Sequence, residues 1–180
     1  MTLGACEIFL NDINPNQTKF SGAAFLQGDI CKVEIPNGLD LIASNAVFQW
    51  IDDLEMLFSK LHCALSPGGM LAFSTFGRQN FQQFNALNYP TLSELESMLT
   101  QNSFEILHIE EGLTTLYFAH AREVLEHIRA TGVTTFPDAQ RGLWTEKSLK
   151  AFEKAYLAQN SDANGVELTY HPVYCCAKSI

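Results

Sequence analysis

Short apolar runs such as "EIFL", "AFLQ", "LDLIAS" and "MLAFST" alternate with stretches of helical or turn-forming sequence, and this alternation most narrows the folds open to the chain. Strand-length runs separated by helix-length periods build a layered α/β domain with a mostly parallel sheet. Strands are expected at residues 7–10, 24–27, 39–44, 70–75 and 104–111, with two more at 113–119 and 171–177. Between them, residues 54–65 repeat Leu and Met at helical spacing and stop at "SPGG", whose proline and glycines cannot continue a helix. "TLSELESMLTQNSF" reads as a second amphipathic helix, capped by Thr91 with Glu94 three residues on.

The last third changes character. "AREVLEHIRATGV" and "TEKSLKAFEKAYLAQN" are two helices joined by a loop containing Pro137 and Gly142, and residues 120–160 read as a helical lid. With 180 residues, 47% of them hydrophobic, and no Gly/Ser-rich or Pro-rich linker, residues 1–180 form one domain carrying that lid. The net charge of −9 argues against a nucleic-acid footprint, which needs a basic face. No apolar run approaches the roughly 20 residues of a membrane span, and the first ten residues lack a signal peptide's basic start, so a soluble cytoplasmic protein is expected. Five cysteines without C-x-x-C spacing and five scattered histidines suggest buried, reduced thiols and no metal site.

In open parallel sheets ligands sit beyond the carboxyl ends of the strands, so those ends are read together. Asp12 follows the first run, where a carboxylate can accept both hydroxyls of a ribose or simply cap a helix. Gly28 and Asp29 follow the second: glycine admits a flat ligand and the carboxylate accepts from an exocyclic amine, although Gly-Asp is also an ordinary turn. Asn45, Phe48, Gln49 and Trp50 follow the third. Rings there can be core, or can attract a sulfonium by about 0.5–2 kcal/mol of cation–π energy. Ser74 and Thr75 end the fourth and are also local turn formers.

The order of these ends, with "LSPGG" before an F-S-T strand, resembles the class I S-adenosylmethionine-dependent methyltransferases. Within that superfamily, "SNAVFQWIDDL", "LSPGGMLAFSTF" and "LTYHPVY" resemble the malonyl-acyl-carrier-protein O-methyltransferases of biotin synthesis. The resemblance implies a Rossmann-like methyltransferase sheet, S-adenosylmethionine as cofactor, and methyl transfer to the free carboxylate of a malonyl thioester. By it Asp12 holds the ribose, Gly28, Asp29 and Ile30 frame the adenine, and Asn45 lines the methionine end. Phe48, Trp50 and Tyr170 fall to the substrate. A carboxylate acceptor also needs a cation, and of Arg78, Arg122, Arg129 and Arg141 the two in the first lid helix, Arg122 and Arg129, are favoured. No general base is assigned, because a carboxylate is already ionised at neutral pH.

The resemblance also implies a glycine-rich loop after the superfamily's first strand, and no G-x-G follows a strand at the start of this sequence. The run at residues 7–10 therefore reads as the second strand, and the expected sheet lacks its first. Two alternatives follow: a catalytically inactive domain that binds a protein partner, or a class I methyltransferase for another small molecule. An acidic acyl carrier protein is the expected partner. Lys147, Lys150 and Lys154, spaced by three and four beneath Arg141, are its expected docking face. The sequence leaves dimer formation open.

Overall fold

The computed structural model describes residues 7–14, 22–84, 89–131 and 145–180. Its elements run β1 (Ile8–Asp12), β2 (Ala23–Gln27), β3 (Leu39–Asn45), a 3₁₀ turn (Phe48–Trp50), α1 (Leu54–Ala64), β4 (Leu65–Phe76), a second 3₁₀ turn (Gln82–Phe84), α2 (Leu92–Gln101) and β5 (Phe104–Glu111). There follow β6 (Thr114–Phe118), α3 (Ala121–Ala130), α4 (Glu146–Gln159), β7 (Ser161–Asp162), β8 (Gly165–Tyr170) and β9 (Pro172–Ser179). None of the described helices is long and apolar enough to cross a membrane.

The helices start where their caps dictate. Asp53 Oδ1 accepts from Met56 N at 2.9 Å to open α1. Thr91 and Glu94 close a full capping box on α2, with Thr91 N donating to Glu94 Oε2 at 2.7 Å and Glu94 N to Thr91 Oγ1 at 3.2 Å. Each helix turns one apolar stripe inward: Leu57, Phe58 and Leu61 from α1 and Leu95 and Leu99 from α2 meet Leu71, Phe73, Phe104 and Val173 of the sheet in one core. The "SPGG" segment ends α1 as expected, yet it belongs to β4, whose first residue Leu65 pairs with Leu39. A Cβ on Gly69 would lie 2.9 Å from the carbonyls of Leu39 and Ser66, so only glycine fits this crossing.

The expectation of a mostly parallel sheet needs correction. β3 runs parallel to β4, but β9 enters between β4 and β5 antiparallel to both, giving the order β3-β4-β9-β5. β1 and β2 form a separate parallel pair, with Asp12 opposite Gln27. This pair is tied to the main body through the segment after β2. Ile30, Cys31 and Ile35 pack on the core, and Lys60 of α1 donates to Val33 O at 2.6 Å.

The last third is more than two helices. Sequence reading placed one strand at residues 171–177 and left "NGVELTY" outside it. That stretch is β8, which pairs antiparallel with β6 and with the short β7. The turn needs Gly165, whose φ of +135° and close approach to Phe118 O exclude a side chain. Val166 and Leu168 of β8 join Val124 and Ile128 of α3, Tyr156 of α4 and Phe81 in a second core. The loop from α3 to α4, with Pro137, Arg141 and Gly142, lies outside the described residues. So does Cys6. Of the four described cysteines only Cys175 is buried, its thiol pushed up to about 12 by burial, whereas Cys63 is exposed. The expectation of uniformly buried thiols is corrected accordingly.

Candidate functional site

Asp12 and the Gly28–Asp29 turn end neighbouring parallel strands, and the structure brings them side by side. Gly28 N donates to Asp12 O at 3.0 Å, and Asn11 Nδ2 donates to Leu26 O at 2.7 Å and to Gly28 O at 3.0 Å. Gly28 has φ +138°, a conformation that disfavours a side chain. Asp12 Oδ1 accepts from Asn14 N at 2.7 Å, and its Oδ2 has no hydrogen-bond partner among the described residues. Asp29 is more committed. Its Oδ1 accepts from Cys31 N at 2.9 Å and its Oδ2 faces Lys32 Nζ at 3.2 Å; the backbone bond first, then Lys32, holds its carboxyl below the ordinary range. Ile30 packs against the main core.

Asn45 and Ser74 end β3 and β4 in register, with Ser74 Oγ donating to Asn45 Oδ1 at 2.5 Å. The chain then bends sharply. Ala46 adopts φ +52°, rare for a residue with a side chain, and its N–H points at Ser74 O and Ser74 Oγ, both at 3.1 Å. That bend throws the Phe48–Trp50 turn across the sheet edge. Phe48 is buried, its ring 4.8 Å from Phe73 and 5.8 Å from Phe58, while Trp50 is exposed. Gln49 Nε2 donates to Ala46 O at 2.6 Å, which fixes the amide and leaves Oε1 buried without a donor. A ligand N–H or O–H reaching it would relieve a cost of about 1–3 kcal/mol.

Beyond this turn lies a cleft of about 480 Å³, walled by the start of α1, the end of β4 and the face of α2. Phe48 and Gln49 reach it from the turn itself, Thr75 and Arg78 from the end of β4 and the loop after it, and Tyr89 and Met98 from the approach to α2 and from α2. Asn45 instead lines a depression on the sheet face with Ala43, Ser74 and Tyr174. Asp12, Gly28, Asp29 and Ile30 line neither, so the structure holds the expected residues in two groups and does not gather them in one described cleft.

The other residues expected at the substrate stand elsewhere. Arg122 pairs with Glu126 along the exposed side of α3 at 3.1 Å, Arg129 is exposed on the same helix, and neither lines either cleft. Tyr170 is half-buried: its hydroxyl lies 2.9 Å from His127 Nε2, and its ring meets Phe81 edge-on at 4.9 Å. Burial pushes that phenol up. Its neighbour His171, which the sequence places with it at the start of the last strand but without a role, is buried, receives Gln79 N on Nδ1 at 3.1 Å and donates from Nε2 to Glu111 Oε2 at 2.9 Å. A backbone donor on Nδ1 requires the neutral Nε2–H tautomer. "TYH" carried the signal, but nothing in it tells which partners the ring meets.

Residues 2–73 match the model of the family described as a methyltransferase domain. Among solved structures, the YcgJ protein of Bacillus subtilis superposes with a TM-score of 0.63 at 11% identity, covering 96% of this chain and 82% of its own. An S-adenosylmethionine-dependent methyltransferase of Mesorhizobium loti does so with a TM-score of 0.54 at 15% identity, covering 96% and 80%. These likenesses show the Rossmann-like methyltransferase fold. Among curated proteins, the malonyl-[acyl-carrier protein] O-methyltransferase of Bacteroides helcogenes is 40% identical over 87% of this chain, of which the match spans 58% of the relative. Those of Calditerrivibrio nitroreducens and Bacteroides thetaiotaomicron are 36% and 33% identical over 93% and 98% of the chain, and 68% and 75% of their own lengths. The chain thus spans under three fifths of some relatives and about three quarters of another. With at least a third of its residues identical to proteins of one name along nearly its whole length, the chain belongs to the malonyl-[acyl-carrier protein] O-methyltransferase family.

Proposed function

We propose that the protein methylates the free carboxylate of a malonyl thioester carried on an acyl carrier protein, using S-adenosylmethionine, in the route to biotin. The observation that carries this reading is the identity to curated malonyl-[acyl-carrier protein] O-methyltransferases along nearly the whole chain. The described cofactor residues suit the group. Asp12 Oδ2 has no partner among the described residues, Gly28 leaves room for a flat ring, and Asn45 stands beside Ser74 at the paired ends of β3 and β4. When bound, the cofactor supplies a methyl group on a sulfonium; the carboxylate oxygen takes the methyl, the carbon–sulfur pair stays on sulfur, the two charges cancel and no proton moves.

The protein's part in such a reaction is placement. Holding the nucleophile roughly 3–3.5 Å from the methyl, and in line, supplies several kcal/mol. Asp12 fixes the ribose, Gly28, Asp29 and Ile30 frame the adenine, and Asn45 lines the methionine end. Phe48 and Trp50, on the turn after β3, and Tyr170, beside α3, belong to the acceptor's side, with α3 and α4 as part of a lid over it. The carrier protein docks on α4, where Lys147, Lys150 and Lys154 share a face. Lys150 is shielded there by Glu146 at 2.6 Å.

The test is transfer of labelled methyl from S-adenosylmethionine to malonyl-acyl-carrier protein, with acetyl-acyl-carrier protein as control. Label in a base-labile ester on the malonyl form alone is expected. Label on both forms, or on neither, refutes the reading.

A further inference from the structure

Among the described residues Arg78 is the only cation lining the cleft beyond the Phe48–Trp50 turn, and the loop that presents it is held from both sides. Gly77 N donates to His171 O at 2.8 Å, Gln79 N to His171 Nδ1 at 3.1 Å, and His171 N to Asn80 Oδ1 at 3.1 Å. Phe81 N donates to Thr169 O at 2.8 Å and holds φ at +52°, an outlier for so bulky a residue. Strained backbone held this firmly gathers where a side chain must be presented in one place.

The Arg78 side chain itself is loosely engaged. Its one partner among the described residues is Glu94 Oε2, at 3.4 Å, with both side chains more than half exposed. That oxygen already accepts from Thr91 N at 2.7 Å and Thr91 Oγ1 at 2.9 Å. The same Thr91 bonds, ahead of Arg78, are what hold the Glu94 carboxyl below the ordinary range. Glu94 is thus satisfied by its helix cap, and the guanidinium keeps donors to spare. The other charged residues of the wall repel an anion: Asp52, Asp53 and Glu55 stand at the start of α1, and Asp53 is taken up by Met56 N.

We propose that Arg78 is the carboxylate anchor of this cleft, gripping the acceptor's free carboxylate and returning to Glu94 once that carboxylate has become an ester. The inference rests on the methyltransferase reading given above and assigns the acceptor's subsite within it. Among carboxylates surrounded by like charge, an anion gains only at Arg78, through two parallel N–H···O bonds. The ester has lost the charge that held it. The acidic wall repels the substrate everywhere except at its anchor, and methylation itself triggers release.

Binding of malonyl-pantetheine and of its methyl ester, measured by calorimetric titration of the 180-residue chain, tests this without requiring turnover. The wild type should prefer the acid by about tenfold or more, the range for a charged hydrogen bond. Arg78→Gln should bind both alike. Glu94→Gln, which keeps the capping box but removes the competing charge, should tighten the acid alone by about threefold. No preference in the wild type, a preference that survives Arg78→Gln, or an unchanged acid affinity in Glu94→Gln overturns the proposal. The two readings fail separately. A wild type that prefers the acid but moves no labelled methyl refutes the enzymatic reading and leaves the anchor; an active wild type whose Arg78→Gln variant keeps its preference does the reverse.

Discussion

Replacing Gly77 by alanine adds one methyl group at the tightest point of the loop that carries Arg78. An added Cβ would lie 2.7 Å from His171 Cε1 and 2.8 Å from Nδ1, inside any real contact distance. The ring cannot swing aside freely, because it is buried and held on both nitrogens, by Gln79 N and by Glu111 Oε2. Gly77 is not in the left-handed region, so the penalty comes from the ring and not from the backbone. Overpacking of this kind costs about 1–3 kcal/mol. Displacing the imidazole also weakens the bond from Gln79 N, about 1 kcal/mol, and the bond to Glu111, about as much because that carboxylate is partly in water. These losses overlap, and about 2–3 kcal/mol is expected in all. Urea denaturation at pH 7 should show it as a midpoint lowered by about 1 M with unchanged slope. The decisive comparison is the same substitution in a His171→Ala background. With the ring gone, alanine at 77 should cost nothing and can gain up to about 1 kcal/mol from a stiffer unfolded chain. If Gly77→Ala destabilises by less than 0.5 kcal/mol, or equally in both backgrounds, the clamp does not work as described.

Thr91→Ala should cost about 1 kcal/mol at neutral pH by opening the α2 capping box. Because Glu94 is held below its ordinary value, its contribution is present above the unfolded glutamate pKa and fades as pH falls through the folded value; the gap between wild type and variant should therefore narrow below about pH 4 in pH-dependent urea titrations. Asp12→Ala should weaken S-adenosylmethionine binding by about 1–3 kcal/mol in calorimetry, and an unchanged dissociation constant removes it from the ribose. Reversing Lys147, Lys150 and Lys154 to glutamate should slow association with acyl carrier protein in stopped-flow at low salt, with the difference shrinking as salt rises.

The elements that could be read from the sequence are those whose signals are local. Thr91 and Glu94 announced α2, the "SPGG" stop marked the end of α1, and β5 fell where its apolar run did, because caps, breakers and runs act within a turn or two. Strand direction is not local. Nothing in "HPVYCCAKS" says that β9 enters antiparallel between β4 and β5, since that depends on where the chain returns after some sixty residues. β8 was missed because its alternation of Val166, Leu168 and Tyr170 sits behind the polar turn Asn164–Gly165, and half of its partners lie in helices. The ends at Asp12, Gly28 and Asn45 were legible as strand ends. The cleft was not, as it draws on three segments far apart in sequence, and Arg78, its one cation among the described residues, was ranked below the arginines of α3. Phe48, ambiguous in sequence, owes its burial to Phe58 and Phe73, which spacing along the chain cannot pair with it.

The late return of β9 also bears on how the chain reaches its native state. The stretch between β5 and β9 leaves the sheet at Glu111 and rejoins it at Pro172, where Gly112 N donates to Pro172 O at 3.1 Å. Closing an unstructured loop of roughly sixty residues costs on the order of 3–4 kcal/mol in entropy, before β9 has gained a single ladder bond. The β6–β8 pair, with α3 and α4 packed on it around Val124, Ile128 and Leu168, brings the two ends together and removes much of that cost. These elements therefore work as a folding staple for a sheet they are not part of. A cavity opened at Val124 should slow the zipping of β9 onto β4 and β5, although no atom of that residue belongs to the main core.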